Sequence, residues 1–191
     1  MQDFDIVYAN GNEKEFIDMA ECLGFSKIVL LTSDINYRFV VSNPKVLVQT
    51  AFLLKDQSQI VRARKNFDFI VATSERKFFE QKVDFIIDLE FSDRRDSFHY
   101  RNTSLNQVHA KLARDNGISL VFDFGTLLHY ENSLRQMYLG RMLQNSMIAR
   151  KYSINSFVFS LARSPLEMRS CDVLNALSEV LSLPPVTKTF I

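Results

Sequence analysis

The chain has 191 residues, a hydrophobic content of 47% and a formal net charge of only +1. This length fits one ordinary domain, and this apolar content is ample for a core, so a disordered chain is excluded. Two cysteines without a CxxC pair argue against a disulfide scaffold and a zinc site. The chain has no evident signal peptide and no apolar run of the roughly 20 residues that span a membrane, so we expect a soluble cytoplasmic protein.

Apolar runs alternate with helical patterns along the chain. Asn12 is the predicted N-cap of the first helix, and Gly24 follows its end. Several strands are continuously apolar, as in Ile28-Val29-Leu30-Leu31, which is typical of strands buried on both faces of a parallel sheet. In chain order, we predict strand Phe4–Tyr8, helix Glu13–Leu23, strands Lys27–Thr32 and Val46–Leu54, helix Gln57–Arg64, strand Phe67–Ala72, helix Ser74–Gln81, strand Phe85–Leu89, helix Leu105–Asp115, strand Ser119–Phe124, a long helix from Glu131 to Tyr152, strand Phe157–Leu161 and helix Asp172–Leu181.

Repeated strand–helix units with a parallel sheet indicate an α/β fold. Seven strands, with a candidate eighth at Val186–Phe190, predict a TIM-barrel-like (β/α) fold. Such barrels typically need about 250 residues, so this one must be short or incomplete. A doubly wound open sheet is the alternative. Neither a repeat nor a linker divides the chain, so residues 1–191 are predicted to form a single domain.

The charges nearly cancel, but they are unevenly distributed. From Met1 to Asp34 there are seven acidic residues against two lysines, and from Ser133 to Ser170 there are six basic residues against Glu167 alone. The six basic residues are Arg135, Arg141, Arg150, Lys151, Arg163 and Arg169. A nearly neutral chain can therefore present a face that attracts phosphate, although any one of these side chains is as readily explained as merely solvated.

One basic pair lies in the charged loop that follows the strand Phe85–Leu89. Arg94 and Arg95 are adjacent there, and each guanidinium offers a planar fork of donors that suits phosphate. Asp93 and Asp96 are alternative partners for these arginines in a local ion-pair cluster. The loop lies at the carboxyl end of a parallel strand, where barrels of this kind usually carry their function.

A second basic segment leaves the last predicted strand. Arg163 and Arg169 bracket a turn stiffened by proline, and only Glu167 compensates their charge. On the helix Leu105–Asp115, Lys111 lies away from the apolar positions, where it either contacts a phosphate or is simply exposed to solvent.

Residues suited to catalysis are sparse. The three histidines form no HxH, HExxH or Cys/His spacing, and no GxSxG, GxGxxG or P-loop motif occurs. Asp88, Glu90 and Asp123 lie at predicted strand ends, but a lone carboxylate there equally caps a helix or pairs with arginine. From its residues alone, the chain is a barrel-like fold without evident catalytic groups.

The order and spacing of several segments resemble the thirty-kilodalton protein subunit family of archaeal and eukaryotic ribonuclease P, and most closely its archaeal members. The resemblance extends roughly from Phe67 to Leu183, over half the chain. The segments that carry it are Asp68-Phe69-Ile70-Val71, Asp84-Phe85-Ile86-Ile87, Arg94-Arg95-Asp96-Ser97, Val108-His109-Ala110-Lys111-Leu112-Ala113, Pro165-Leu166-Glu167-Met168-Arg169-Ser170 and Asp172-Val173.

The resemblance implies a barrel akin to the polymerase-and-histidinol-phosphatase metal hydrolases, without their metal-binding histidines. It also implies a ribonucleoprotein whose RNA carries the active site, so this chain is expected to bind no cofactor or metal, and magnesium is expected at the RNA active site. The implied partners are the ribonuclease P RNA, a small α/β protein subunit in a heterotetramer and the other protein subunits, with precursor tRNA contacted only indirectly.

The leading hypothesis is an accessory subunit that is not catalytic alone and scaffolds the RNA that removes 5′ leaders from precursor tRNA. The alternative is a metal-dependent phosphoesterase or nuclease of the same barrel class, which would use the strand-end carboxylates and a histidine. The predicted RNA-binding residues are Arg95 and Arg169 first, followed by Arg94, Arg163, Lys111 and Arg76.

Overall fold

The computed structural model describes residues 3–39, 45–92 and 95–184, and within them strands and helices alternate as predicted. The strands are β1 (Phe4–Tyr8), β2 (Lys27–Thr32), β3 (Leu47–Leu54), β4 (Phe69–Thr73), β5 (Phe85–Ile87), β6 (Ser119–Asp123) and β7 (Ser156–Phe159). The helices are α1 (Glu13–Cys22), α2 (Ile60–Asn66), α3 (Arg76–Phe79), α4 (Gln107–Asp115), α5 (Phe124–His129), α6 (Asn132–Lys151) and α7 (Cys171–Val180). Short 3₁₀ turns occupy Gln57–Gln59 and Pro165–Glu167.

The strands form one sheet in which each strand pairs in parallel with the next strand of the chain, from β1 to β7. The first and last strands then meet, because the backbone N–H of Tyr8 donates to the carbonyl oxygen of Ala162 at 2.8 Å. The result is a nearly closed (β/α) barrel. The doubly wound alternative is wrong, because the strand order of that fold reverses at a switch point. The candidate eighth strand at Val186–Phe190 lies outside the described residues.

A buried carboxyl group holds much of the seam between β1 and β7. The side chain of Asp5, which is fully buried, accepts the backbone N–H of Ser160 at 2.8 Å and also the hydroxyl of Ser160. On the inner side of the seam, the Phe4 ring packs against the rings of Phe157 and Phe159, with centroids 5.8 and 5.0 Å apart. Among the described residues, side chains of β1 and β7 thus contribute to closing the barrel beside the backbone hydrogen bond of Tyr8.

The interior of the barrel is filled by the alternate, inward-facing side chains of the strands. Phenylalanines dominate this layer, and their rings meet at tilted or edge-to-face angles, as between Phe69 and Phe85 at 5.6 Å. The cluster consists of Phe4, Ile6, Val29, Leu31, Ala51, Phe69, Val71, Phe85, Ile87, Val121, Phe157, Phe159 and Leu161. The barrel thus has a packed core and not a pore, as in larger barrels of this architecture.

The outward-facing side chains of the strands pack against the helices in two further apolar clusters. Helix α6 differs from an ordinary amphipathic helix, because the residues that it buries include Arg141, Asn145 and Ser146. A polar face of this kind needs polar partners. Two of these partners are Asp96, in the loop between β5 and α4, and Glu90, at the start of that loop.

Most predicted element boundaries are shifted by one or two residues, but two differences are larger. The helix predicted over Ser74–Gln81 shortens to α3, and the chain after β6 forms α5, which the sequence did not predict. Asp123 ends β6 and caps α5, because its carboxylate accepts the backbone N–H of Thr126 at 2.9 Å. None of the helices within the described ranges is long and apolar enough to cross a membrane.

Candidate nucleic-acid interface

Most of the predicted RNA-binding residues follow the carboxyl ends of strands, which in a parallel barrel all lie at one end. Arg76 follows β4, Arg95 follows β5, and Arg163 and Arg169 follow β7. Lys111 lies instead on α4, outside the loops. The sequence therefore placed four of the cations at the loop end of the barrel. The remaining predicted residue, Arg94, lies outside the described residues.

Arg163 lines an open cleft of about 560 Å³ at this end of the barrel. Its guanidinium carbon lies 5.2 Å from the centroid of the Tyr8 ring, a cation–π geometry that holds the charge over β1. The backbone of Arg163 is also fixed, since its N–H donates to Glu167 Oε2 at 2.8 Å. The cleft is lined further by Asn10 and by exposed Lys55. The lining also includes neutral donors and the carboxylate of Asp34, so two cations face one carboxylate, an excess of positive charge that suits an anionic group.

Lys55 was missed by the sequence prediction. Its position follows β3 directly, so the rule that selected the arginines after β5 and β7 also applies to it. Lys55 was overlooked because it is a single cation without a basic neighbour in sequence.

Beneath the cleft, burial sets the protonation of the neighbouring groups. Burial, together with the charges of Asp88 and Asp123, raises the pKa of Tyr8 to about 12, so its hydroxyl stays protonated. Burial also raises the pKa of Asp88, whereas the positive charge of Arg163 opposes that shift. The guanidinium of Arg163 thus partly offsets the negative charge of Asp88, and the same exposed side chain lines the cleft.

The loop between β5 and α4 presents a second set of exposed groups. Residues 95–103 will be called the aromatic loop. The Phe98 side chain at its tip is 97% exposed, and Tyr100 is 60% exposed. Arg95 is exposed too and makes no ion pair with any residue that the structure describes. The expected cluster with Asp96 does not form around Arg95, because Asp96 pairs instead with Arg141 and Arg101.

Two of the remaining predicted cations, Arg169 and Arg76, are engaged by other groups of the protein. Arg169 donates to the carbonyl oxygens of Leu166 at 3.0 Å and Met168 at 2.7 Å, so part of its guanidinium serves its own turn. Arg76 forms an exposed ion pair with Glu80 at 3.3 Å, which contributes little to stability and leaves the charge accessible. Lys111 is exposed on α4.

Two arginines of the basic region from Ser133 to Ser170 are engaged by other groups of the protein. Arg141 is buried, with 4% exposure, and Arg135 donates to the carbonyl oxygens of Tyr130 and Leu128 at 2.6 and 3.0 Å. The basic surface expected from the sequence is therefore smaller than the count of charges indicates.

The strand-end carboxylates are engaged in holding the fold together. Glu90 is buried, accepts the Asn145 amide at 3.0 Å and lies 3.4 Å from the Tyr138 hydroxyl. Burial raises the pKa of Glu90 to about 7 and that of Asp123 to about 6, although hydrogen bonds from Asn145 and Thr126 partly oppose these shifts. These groups cap and brace the loops that leave the barrel.

The histidines do not converge on these carboxylates. His99 lies at the tip of the aromatic loop, His109 stacks on Phe79 at 4.5 Å, and His129 faces Glu167 at 3.5 Å. Across residues 3–39, 45–92 and 95–184, no three His, Cys, Asp or Glu side chains are grouped so that they could hold a metal ion.

Two solved structures have the same fold. One is a chain in the cryo-EM structure of archaeal ribonuclease P with mature tRNA, with a TM-score of 0.75 and 17% identity over 95% of this chain and 83% of that chain. The other is histidinol phosphate phosphatase from Lactococcus lactis, crystallised with zinc, L-histidinol and phosphate, with a TM-score of 0.56 and 8% identity over 94% and 92%. The predicted fold is confirmed: this is a nearly closed (β/α) barrel, and its loop end carries exposed cations and aromatic side chains.

Three curated proteins are similar to part of the chain. Ribonuclease P protein component 3 of Methanosarcina acetivorans is 37% identical over 83 residues, and its counterparts in Methanosarcina mazei and Methanosarcina barkeri are 35% and 34% identical over the same length. The match covers 44% of this chain and only 35% of each relative. No protein-family model matches the chain. The chain is thus similar to ribonuclease P protein component 3, the family that its sequence motifs resemble, and the matched segment spans about a third of the length of these relatives.

Proposed function

We propose that this chain is a protein subunit of ribonuclease P, in which it supports the RNA-catalysed removal of 5′ leaders from precursor tRNA. The observation that carries the proposal is its identity of 34–37% to ribonuclease P protein component 3 of three Methanosarcina species. The cations at the loop end of the barrel agree with it, because a folded RNA is bound mainly through its phosphates and its shape.

In this proposal, Arg95 and Arg163 make the principal phosphate contacts. Both are exposed and lie at the same end of the barrel, one on the aromatic loop and one in the cleft. Arg169 contributes less than the sequence suggested, because its guanidinium is partly occupied by backbone carbonyls. Arg76 adds to these contacts after β4, Lys111 adds to them from α4, and Arg94 is included because it adjoins Arg95 in the sequence.

The assembly in this proposal contains the ribonuclease P RNA, a small α/β protein subunit that pairs with this chain in a heterotetramer, and the other protein subunits. Precursor tRNA is contacted indirectly. Magnesium acts at the RNA active site and not on this chain, which acts as a single barrel domain in the cytoplasm and supplies no reactive group. The metal-dependent phosphoesterase alternative lacks support, because Glu90 and Asp123 are already engaged in structural hydrogen bonds.

The proposal is tested by reconstituting ribonuclease P from its RNA and protein subunits with and without this chain. We expect leader cleavage to fall when the chain is left out and to recover when it is added back. The double variant Arg95→Ala/Arg163→Ala should restore less activity than the wild-type chain, and its RNA affinity should fall less steeply with salt, because each lost phosphate contact lowers RNA affinity and its salt dependence.

Arg114 provides the matched control. It is an exposed arginine at the end of α4, and because each helix of a (β/α) unit runs back along the barrel, it lies away from the loop end. Arg114→Ala should therefore restore cleavage as well as the wild-type chain. Cleavage that proceeds equally well without the chain would contradict the proposal. Correct cleavage of precursor tRNA by the chain alone would contradict it as well.

A further inference from the structure

The tip of the aromatic loop holds large apolar side chains in water. Phe98 is 97% exposed and Tyr100 is 60% exposed, whereas most phenylalanines of the chain lie in the core. Scattered apolar residues on a surface need no explanation, whereas a nearly fully exposed ring at the tip of an ordered turn requires one. Such a ring costs free energy in the isolated chain, and a partner that covers it recovers this cost.

The turn itself is closed by local hydrogen bonds. The backbone N–H and the hydroxyl of Ser97 both donate to the carbonyl oxygen of Tyr100, at 3.0 and 3.1 Å, and the Tyr100 N–H lies 3.2 Å from the Ser97 hydroxyl. This arrangement leaves Phe98 and His99 as the two tip residues, with their rings 5.1 Å apart at 90°. The position of the exposed ring is therefore set by the backbone.

The base of the loop is anchored on the polar face of α6. The guanidinium of Arg141 contacts Asp96 Oδ1 twice at 3.0 Å and donates to the carbonyl oxygen of Glu90 at 2.9 Å. The two side chains are only 5% and 9% exposed. Their bonds are therefore shielded from water, unlike those of a surface ion pair.

A second connection lies one turn further along α6. The Gln144 side chain accepts the backbone N–H of Arg101 and donates to its carbonyl oxygen, both at 2.8 Å, as a neighbouring strand would do. The Asn102 N–H donates to Asp96 Oδ1 at 2.8 Å. The loop is thus preorganised by buried and paired groups, so little conformational entropy remains to be lost when its tip binds a partner.

We propose that the aromatic loop is a stacking platform for unpaired nucleobases of an RNA, with Phe98 as the principal ring and Tyr100 as the second. This inference rests on the proposed function and names the part of the RNA that the loop recognises. Aromatic rings stack on splayed bases regardless of sequence, and cations beside them hold the adjacent phosphates. Arg95 and Arg101 flank the tip on either side in sequence.

Charge argues for RNA and against an apolar pocket on a protein. The aromatic loop, residues 95–103, contains one carboxylate, Asp96, and it is already occupied by Arg141 and Arg101. Within residues 97–101, which are all exposed, the side chains are aromatic, cationic or neutral. Moreover, the loop leaves the same end of the barrel as the Arg163 cleft, so base and phosphate contacts can be made by one RNA segment.

The chain contains no tryptophan, so Phe98→Trp introduces a single fluorescent reporter at the tip. The probes are a labelled single-stranded adenine oligoribonucleotide and an abasic oligomer of equal length and charge. The anisotropy of the label reports binding, and tryptophan emission reports stacking. We expect the base-bearing RNA to quench the emission and the abasic oligomer to leave it unchanged at equal saturation. The control is Val61→Trp on α2, at a position of 67% exposure, which should not respond to either oligomer.

Further substitutions separate stacking from general apolar contact. Phe98→Tyr should keep the affinity for the adenine oligomer, whereas Phe98→Leu should lose on the order of tenfold, because leucine keeps the apolar area but not the ring face. Equal quenching by the abasic oligomer would overturn the inference and leave phosphate binding intact. Wild-type affinity in Phe98→Leu would also overturn it, in favour of a protein partner at the tip. No anisotropy change with either oligomer would overturn the inference, whereas the proposed function is overturned only by the reconstituted cleavage assay.

Discussion

The carboxyl group of Asp5 makes the seam of the barrel sensitive to pH. It is fully buried, and although hydrogen bonds from Ser160 and Ile6 favour its charged form, burial dominates and raises its pKa from 3.8 to about 7. The nearby charge of Asp123 acts in the same direction as burial. A carboxyl group in the unfolded chain titrates near its ordinary value, so folding changes its proton affinity.

The direction of the effect follows from proton linkage. Between pH 4 and 7 the folded chain keeps the Asp5 proton while the unfolded chain loses it, so stability decreases as the pH rises through this window. Below the window both states are protonated, and above it both are ionised. A difference of about three pKa units corresponds to a loss of up to about 4 kcal/mol across the window.

Asp5→Asn should remove this contribution. The amide oxygen can still accept the backbone N–H groups of Ser160 and Ile6, and the amide nitrogen can donate to the Ser160 hydroxyl in place of accepting from it. The free energy of unfolding, measured by urea denaturation at pH 4.5, 6 and 8, should fall less with pH in the variant than in the wild type. At pH 8 the variant should be the more stable of the two.

Ser160→Ala serves as the companion variant. It removes a hydrogen bond that favours the charged form of Asp5, so the decrease in stability should extend to a higher pH than in the wild type. Because Glu90 and Asp123 also have raised pKa values, the wild type and Asp5→Asn must be compared at each pH, and only their difference reports on Asp5. Parallel curves for these two proteins between pH 4.5 and 8 would refute the reasoning.

Two further predictions concern other contacts at the loop end of the barrel. Arg141→Met leaves the buried carboxylate of Asp96 without its principal partner, so thermal denaturation should show a loss of about 3–5 kcal/mol and the amides of the aromatic loop should exchange faster with deuterium. Gly125→Ala places a methyl group 2.5 Å from the carbonyl oxygen of Ser160, so urea denaturation should show a loss of about 1–3 kcal/mol, whereas an unchanged midpoint would mean that α5 shifts freely.

The barrel was predictable because its strands carry a local signal. Runs such as Ile28-Val29-Leu30-Leu31 are buried throughout, one face toward the barrel interior and the other toward the helices, so the sequence needs no alternation there. Helix α5 was not predictable in the same way. It has six residues and depends on the cap that Asp123 provides and on the packing of Gly125 against the end of β7, both of which are contacts of the folded chain.

The candidate site, too, could be predicted from the sequence only in part. Topology alone placed Arg95 and Arg163 at the loop end, because every parallel strand of a barrel ends there. Whether an arginine is available depends on partners far away in sequence, however, and Arg141 is buried against a residue 45 positions earlier. The sequence did contain one unused signal: Phe98 lies outside every apolar run, between Ser97 and His99, where a core phenylalanine is not expected.

The acidic residues of the loop end explain why its surface can be cationic. The carboxylates of Asp96 and Glu90 face the interior, where they accept hydrogen bonds from Arg141 and Asn145 and fix the loop that leaves β5. If these carboxylates lay at the surface, they would cancel the field of the exposed arginines at distances well within a Debye length. Part of the negative charge is therefore used inside the fold, whereas Arg95 and Arg163 remain exposed, so a chain with a net charge of only +1 can still present cations at this end of its barrel.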